Sequence, residues 1–174
     1  MSTLHVENLK GLSSGANANK IIVPSGQTID ASAGTLVPSA GALVQVAHNT
    51  HGTFDSTSSS YVDVVSVTFT PKYNNSRIFI RYNGHLYKYN ADNYPDSNSK
   101  IITDQGTGSY IDLVVHPYIT YMDTTNYMYT LSMAAQYQVA NTNAQTVVMQ
   151  ILPRGHRTYI YSGSNLFTVE EIKQ

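Results

Sequence analysis

The sequence predicts an all-β protein: an antiparallel β-sandwich or jelly-roll head preceded by an extended N-terminal β spine. Three observations predict it. Apolar and polar residues alternate with a period of two through several segments, which turns one face inward and the other to water. Clusters of Gly, Pro, Asn and Ser separate those segments and favour turns. Ser, Thr, Asn and Gly are abundant while Lys and Glu are few, a balance that disfavours long helices. Alternation with one polar face fits antiparallel sheets better than buried parallel ones.

Residues 1–46 differ from the rest and contain neither Tyr nor Phe. Within them, IIVPSGQTIDASAGTLVPSAG (residues 21–41) writes the same short turn, V-P-S followed by a small residue, twice and fourteen residues apart. Short apolar clusters flank the turns: Leu4-His5-Val6, Ile21-Ile22-Val23, Leu36-Val37 and Leu43-Val44. Strands this short cannot bury a face alone. Two rungs with one turn signature resemble a piece of β-solenoid, in which neighbouring rungs make the core. With fewer than three rungs, the missing surface is most simply supplied by further copies of the chain. Residues Ile22, Val23, Ile29, Leu36, Val37 and Leu43 are then the shared spine, and Ser, Ala and Gly let backbones approach near an axis. A disordered Ser/Gly linker is the alternative reading.

Residues 47–174 form the expected head. In YVDVVSVTFT (61–70), Val65, Val67 and Phe69 share one face and Ser66, Thr68 and Thr70 the other. Pro71 ends that strand, and residues 73–76 make a turn. RIFIRYNGHLYKY (77–89) sets Ile78, Ile80 and Tyr82 against Arg77, Phe79 and Arg81, with Gly84 suggesting a bulge or bend. Segment 90–100, NADNYPDSNSK, reads as a long exposed loop. Further strands are expected at 109–122, 127–140, 145–152, 157–162 and 166–172. Residues 131–136 have helical propensity, but their flanks favour a strand. Seven or eight strands joined by turns make a sandwich or jelly roll.

Composition excludes several functions. Charged residues are 12% of the chain and the net charge is −1, with no basic run, so neither a nucleic-acid footprint nor a polybasic membrane anchor is expected. No segment approaches eighteen consecutive apolar residues, so no membrane insertion is expected. The opening MSTLHVENLKGLSSG lacks a basic start followed by an apolar run, so it does not read as a secretory signal. Release by lysis satisfies that constraint. There is no cysteine, which removes disulfide and thiolate chemistry.

No enzyme motif stands out. His48 and His51 form His-x-x-His, but no third ligand follows at metal-site spacing, and they read as two loop histidines. On a threefold axis, one histidine per chain could still form a three-nitrogen site. Asp92 and Asp96 flank Tyr94 without the dense oxygen pattern of a calcium loop. Neither a G-x-S-x-G turn nor a phosphate loop is present. No catalytic residue, cofactor or metal is therefore expected. The fourteen tyrosines are the most unusual feature. Many suit half-buried strand positions with a wet hydroxyl. Tyr87, Tyr89, Asn90, Asn93 and Tyr94 cluster around the polar loop, and rigid aromatic faces beside adaptable amides suit recognition of a glycan or protein.

The opening STLHVENLKGLSSGANANKIIVPSGQTIDASAGTLVPSAG, the segment SSSYVDVVSVTFTPKYNNSRIFI and the closing LFTVEEI together resemble small virion structural proteins of tailed phages. The likeness is strongest to the fibre-like proteins of marine cyanophages. It covers most of the chain and thins between about residues 85 and 160. It implies a non-enzymatic homotrimeric appendage, made in the host cytoplasm and released by lysis. An intertwined spine would bind other virion proteins, and three sandwich heads would contact a host surface receptor or glycan. A capsid decoration or cement protein of the same fold, or a lectin-like jelly roll, is the alternative. The chain departs from a large tail fibre in having no long shaft.

Overall fold

A computed structural model describes residues 13–15, 25, 37–88, 97–116, 127–154, 157–163 and 165–174. The chain divides into two compact units, residues 1–37 and 38–174. Nearly all of the first lies outside the described residues. The second is an all-β sandwich with ten strands among its described residues, and the expected division at 46/47 falls within the first of them.

In chain order the strands are β1 (Leu43–Asn49), β2 (Phe54–Ser56), β3 (Val62–Phe69), β4 (Arg77–Lys88) and β5 (Asn98–Thr103). They continue as β6 (Ile111–His116), β7 (Tyr127–Gln138), β8 (Gln145–Leu152), β9 (Thr158–Ile160) and β10 (Leu166–Ile172). Every pairing is antiparallel. One sheet has six strands in the order β1-β10-β4-β9-β2, with β7 on the other side of β4. The second has four, in the order β3-β8-β5-β6.

The alternation read from the sequence becomes the core. Ile78, Ile80, Tyr82 and Leu86 of β4 point inward with Phe167 and Val169 of β10 and Leu131, Met133 and Tyr137 of β7. The other sheet contributes Val65, Val67 and Phe69 of β3, Ile101 of β5, and Val147, Met149 and Ile151 of β8. Burying each large apolar side chain contributes roughly 1.5–3 kcal/mol, which explains why one slipped register would be costly. Residues 131–136 are strand, as their flanks suggested.

Two expectations are corrected. Residues 98–100 are not loop: they open β5, where Asn98 and Ser99 are buried between β8 and β6. The rest of the expected loop, up to residue 96, lies outside the described residues. Gly84 makes no bulge, because the β4–β7 ladder runs through it without a register shift. Its missing side chain instead makes room for Tyr82, whose hydroxyl lies 2.5 Å from where a Cβ would stand.

Polar groups also hold the interior. Glu171 alternates inward with Phe167 and Val169 and is only 1% exposed. Its carboxylate accepts hydrogen bonds from the Lys72 and Tyr73 backbone N–H groups at 3.0 and 3.1 Å and from Gln45 Nε2 at 2.6 Å. One side chain thus ties β10 to β1 and to the turn between β3 and β4. Tyr137 donates its hydroxyl to Gln145 Oε1 at 2.5 Å, and burial pushes that phenol up to about 12.

Candidate functional site

An aromatic cluster sits on the outer face of the six-stranded sheet. Strand alternation explains it. Inward Leu86 and Ile160 pair across β4 and β9, so their neighbours Tyr87 and Tyr159, also paired, face outward. Asp55 of β2 pairs with Tyr159 and extends the same row. Tyr161 follows two residues after Tyr159 and packs edge-on against both other rings. The centroids are 4.7 Å from Tyr159 and 6.0 Å from Tyr87, with interplanar angles of 73° and 82°. Arg157, two residues before Tyr159, grips Asp55 with Nε at 2.9 Å and a terminal guanidinium nitrogen at 2.5 Å. The hydrogen bonds from Arg157 hold the Asp55 carboxyl below its usual range.

The cluster is partly exposed, with Tyr87 and Tyr159 half-buried. Tyr161 is 41% exposed, and the side chains of Arg157 and Asp55 are 50% and 40% exposed. Neighbouring polar and aromatic groups supply what saccharide or protein recognition needs: rigid apolar faces, a fixed carboxylate and a fixed guanidinium.

Of the residues singled out from sequence for recognition, Tyr87 belongs to this cluster. Tyr89, Asn90, Asn93 and Tyr94 lie outside the described residues. Sequence reading missed Tyr159, Tyr161, Arg157 and Asp55. A signal for three of them was present: R-T-Y-I-Y places Arg157, Tyr159 and Tyr161 on one side of a strand. Of the spine residues, Ile22, Val23, Ile29 and Leu36 also lie outside the described residues. Val37 is 64% exposed, and Leu43 opens β1 opposite Ile172, 55% exposed.

The two histidines separate. His48 is exposed on β1, beside an open groove of about 390 Å³ between β1 and β3. Asn49 spans that seam, its Nδ2 donating to the Ser66 carbonyl at 2.9 Å. His51 is half-buried against Tyr82, with ring centroids 6.1 Å apart and nearly parallel. Its Nδ1 lies 2.6 Å from the Gly52 carbonyl, which can only accept, so Nδ1 carries the proton. Nε2 then accepts from the Tyr82 hydroxyl at 3.1 Å. Burial lowers the His51 pKa and raises that of Tyr82, which keeps both neutral. Asn165 fixes the backbone here, accepting from the His51 N–H at 2.8 Å and donating to its carbonyl at 3.2 Å. Among the described residues, no three His, Cys, Asp or Glu side chains are grouped to hold a metal ion.

No protein-family model matches the chain, and neither does any curated protein. Among solved structures, it is similar to the CBM22-1 xylan-binding domain from Paenibacillus barcinonensis Xyn10C. The identity is 11%, the match covers 79% of this chain and 99% of that domain, and the TM-score is 0.37.

Proposed function

We propose that this chain is a non-enzymatic structural protein of a tailed-phage particle, a homotrimeric fibre-like appendage whose sandwich head recognises a host surface. The observation that supports the recognition half is the partly exposed Tyr87–Tyr159–Tyr161 cluster beside the Asp55–Arg157 pair. Aromatic side chains held on or beside strands form a rigid surface that loses little entropy on binding. The sequence resemblance supports the phage half. The residues preceding β1 are assigned as the trimerising and particle-attaching segment, because strands as short as their apolar clusters cannot bury a face alone.

Native mass spectrometry tests the assembly. A species of three times the 19.1 kDa chain mass is expected, and a stable monomer at micromolar concentration refutes it. Blocking of phage adsorption by purified protein tests recognition, and unimpaired adsorption at saturating protein refutes it.

A further inference from the structure

We infer that the outer corner of the six-stranded sheet, built on Leu43, Val46, Ile172 and Phe79, packs against the same corner of sister chains, so that the heads meet where their chains enter. The inference rests on the homotrimer proposed above and names the head surface that the copies share.

Strand register builds the corner. Glu171 points into the sandwich, so its neighbours Glu170 and Ile172 face outward on β10. Leu43 pairs with Ile172 and Val46 with Glu170, which puts both on that outer face. On the far side of β10, Phe79 pairs with Glu170 and Arg77 with Ile172. Leu43 is 55% exposed and Val46 49%, while Ile172 and Phe79 are half-buried. The same face turns polar where it continues onto β7: Gln138 pairs with Arg77 and Gln136 with Phe79, and both are exposed. The apolar side chains are thus gathered at one corner. A sheet face left to water carries polar residues, and a gathered apolar patch marks a contact surface.

Two observations make the occupant a second copy of this chain. The first is where the chain enters. The head begins at Pro38. Its opening residues are clamped to the end of the chain: Gly41 N–H donates to the Lys173 carbonyl at 2.7 Å, and Lys173 N–H donates to the Ala42 carbonyl at 3.0 Å. Leu43 follows Pro38 by only a few residues, at most about 17 Å of extended chain. Sister chains joined ahead of Pro38 are therefore tied together beside this corner. The second is the charge at its rim. Arg81 lies 3.3 Å from the Glu170 carboxylate, with side chains 60% and 24% exposed. Arg77 adds an exposed cation that no carboxylate among the described residues pairs. Arg77 of one head can reach Glu170 of the next, whereas a rim of one sign would repel its own copy. The patch is too small to hold copies together alone. It acts once the joining segment has raised the local concentration of heads.

The chain has no cysteine, so an introduced thiol reports a single position. The test uses the full chain. Val46→Cys treated with a short bis-maleimide should give covalent dimers on a denaturing gel. Gln138→Cys, exposed on the same face at β7, and Val115→Cys, 43% exposed on β6, should not. Val46→Asp should speed subunit exchange between labelled trimers roughly tenfold, and Val115→Asp should leave it unchanged. Arg77→Glu should speed exchange more at low salt than at high salt. Thermal unfolding of each variant separates a lost contact from a lost fold. A trimer by native mass in which Val46→Cys yields no covalent dimer, or in which all three thiols cross-link alike, overturns the inference and leaves the appendage standing. Cross-linking of Val46→Cys in whole particles to a different protein alone also overturns it and assigns the corner to that protein. A full-length monomer overturns the homotrimer and this contact with it.

Discussion

Removing the Glu171 carboxylate should loosen the sandwich at the start of β4, by an amount the structure allows one to work out. The group is 1% exposed and accepts from three donors: the Lys72 N–H, the Tyr73 N–H and Gln45 Nε2. Hydrogen bonds to a charged acceptor contribute about 1.5–3 kcal/mol each. Three of them set an upper bound that the native state will not show in full. Lys72 is exposed and Tyr73 only half-buried, so water can replace part of what Glu171→Ala removes. Truncation also relieves the cost of keeping a carboxylate from water. The expected loss is about 3 kcal/mol for Glu171→Ala and about 1.5 kcal/mol for Glu171→Gln, whose amide keeps one acceptor oxygen. Urea unfolding measures it. With an m-value of about 2 kcal/mol/M, the alanine midpoint should fall by roughly 1.5 M at unchanged m. Protein concentration must be held constant, because an oligomer's stability depends on it. A Gln45→Ala, Glu171→Ala double-mutant cycle should show coupling of at least about 0.5 kcal/mol. An alanine variant within about 0.5 kcal/mol of wild type would refute the reasoning, since that is the range of surface substitutions.

Three further outcomes are expected. The His51 pKa is lowered in the fold from its ordinary 6.5, so the unfolded chain takes the proton first. Stability is then full above that value and is lost as pH falls below it, with a slope of at most about 1.4 kcal/mol per pH unit; His51→Gln should flatten this limb in urea unfolding between pH 7.5 and 5. Gly84→Ala should cost about 1–3 kcal/mol by overpacking, because its Cβ would stand 2.5 Å from the Tyr82 hydroxyl; Tyr82→Phe in the same background should recover part of that loss in thermal unfolding. Deleting residues 1–37 should convert a trimer to a folded monomer in light scattering, and Val37→Asp should impair assembly more than head stability, since Val37 is 64% exposed.

The strands with the cleanest period of two were legible residue by residue. Val65, Val67 and Phe69, like Ile78, Ile80 and Tyr82, face the core as alternation requires. Strands 145–152 and 166–172 fall where their composition placed them. β5 was hidden because Asn98, Ser99 and Lys100 look like loop. Their burial is imposed by β8 and β6 on either side, and local composition carries no record of distant pairing. β1 was hidden in the same way, since its partner β10 lies at the far end of the chain. Two adjacent glutamates, Glu170 and Glu171, stand in the last strand, and composition alone would put both in water. Alternation with Phe167 and Val169 sends Glu171 inward and leaves Glu170 beside Arg81 at 3.3 Å. Within the candidate site, Tyr159, Tyr161 and Arg157 share a strand side that the sequence displays. Asp55 lies 102 residues from Arg157, and only the fold brings it there.

The long β4 strand joins the two halves of the six-stranded sheet. It pairs with β7 along its whole length, and on its other side first with β10 and then with β9. The change of partner occurs around Gly84, beside the inward Tyr82 that His51 fixes. The chain enters the sandwich at the first half. Gly41 N–H donates to the Lys173 carbonyl at 2.7 Å, Lys173 Nζ donates to the Pro38 carbonyl at 2.8 Å, and Leu43 aligns through Ile172 with Arg77. The aromatic cluster belongs to the second half, with Tyr87. At about 3.3 Å per residue, the interval from Arg77 to Tyr87 is roughly 33 Å. The aromatic cluster therefore lies toward the opposite end of β4 from the point where β1 joins the sheet.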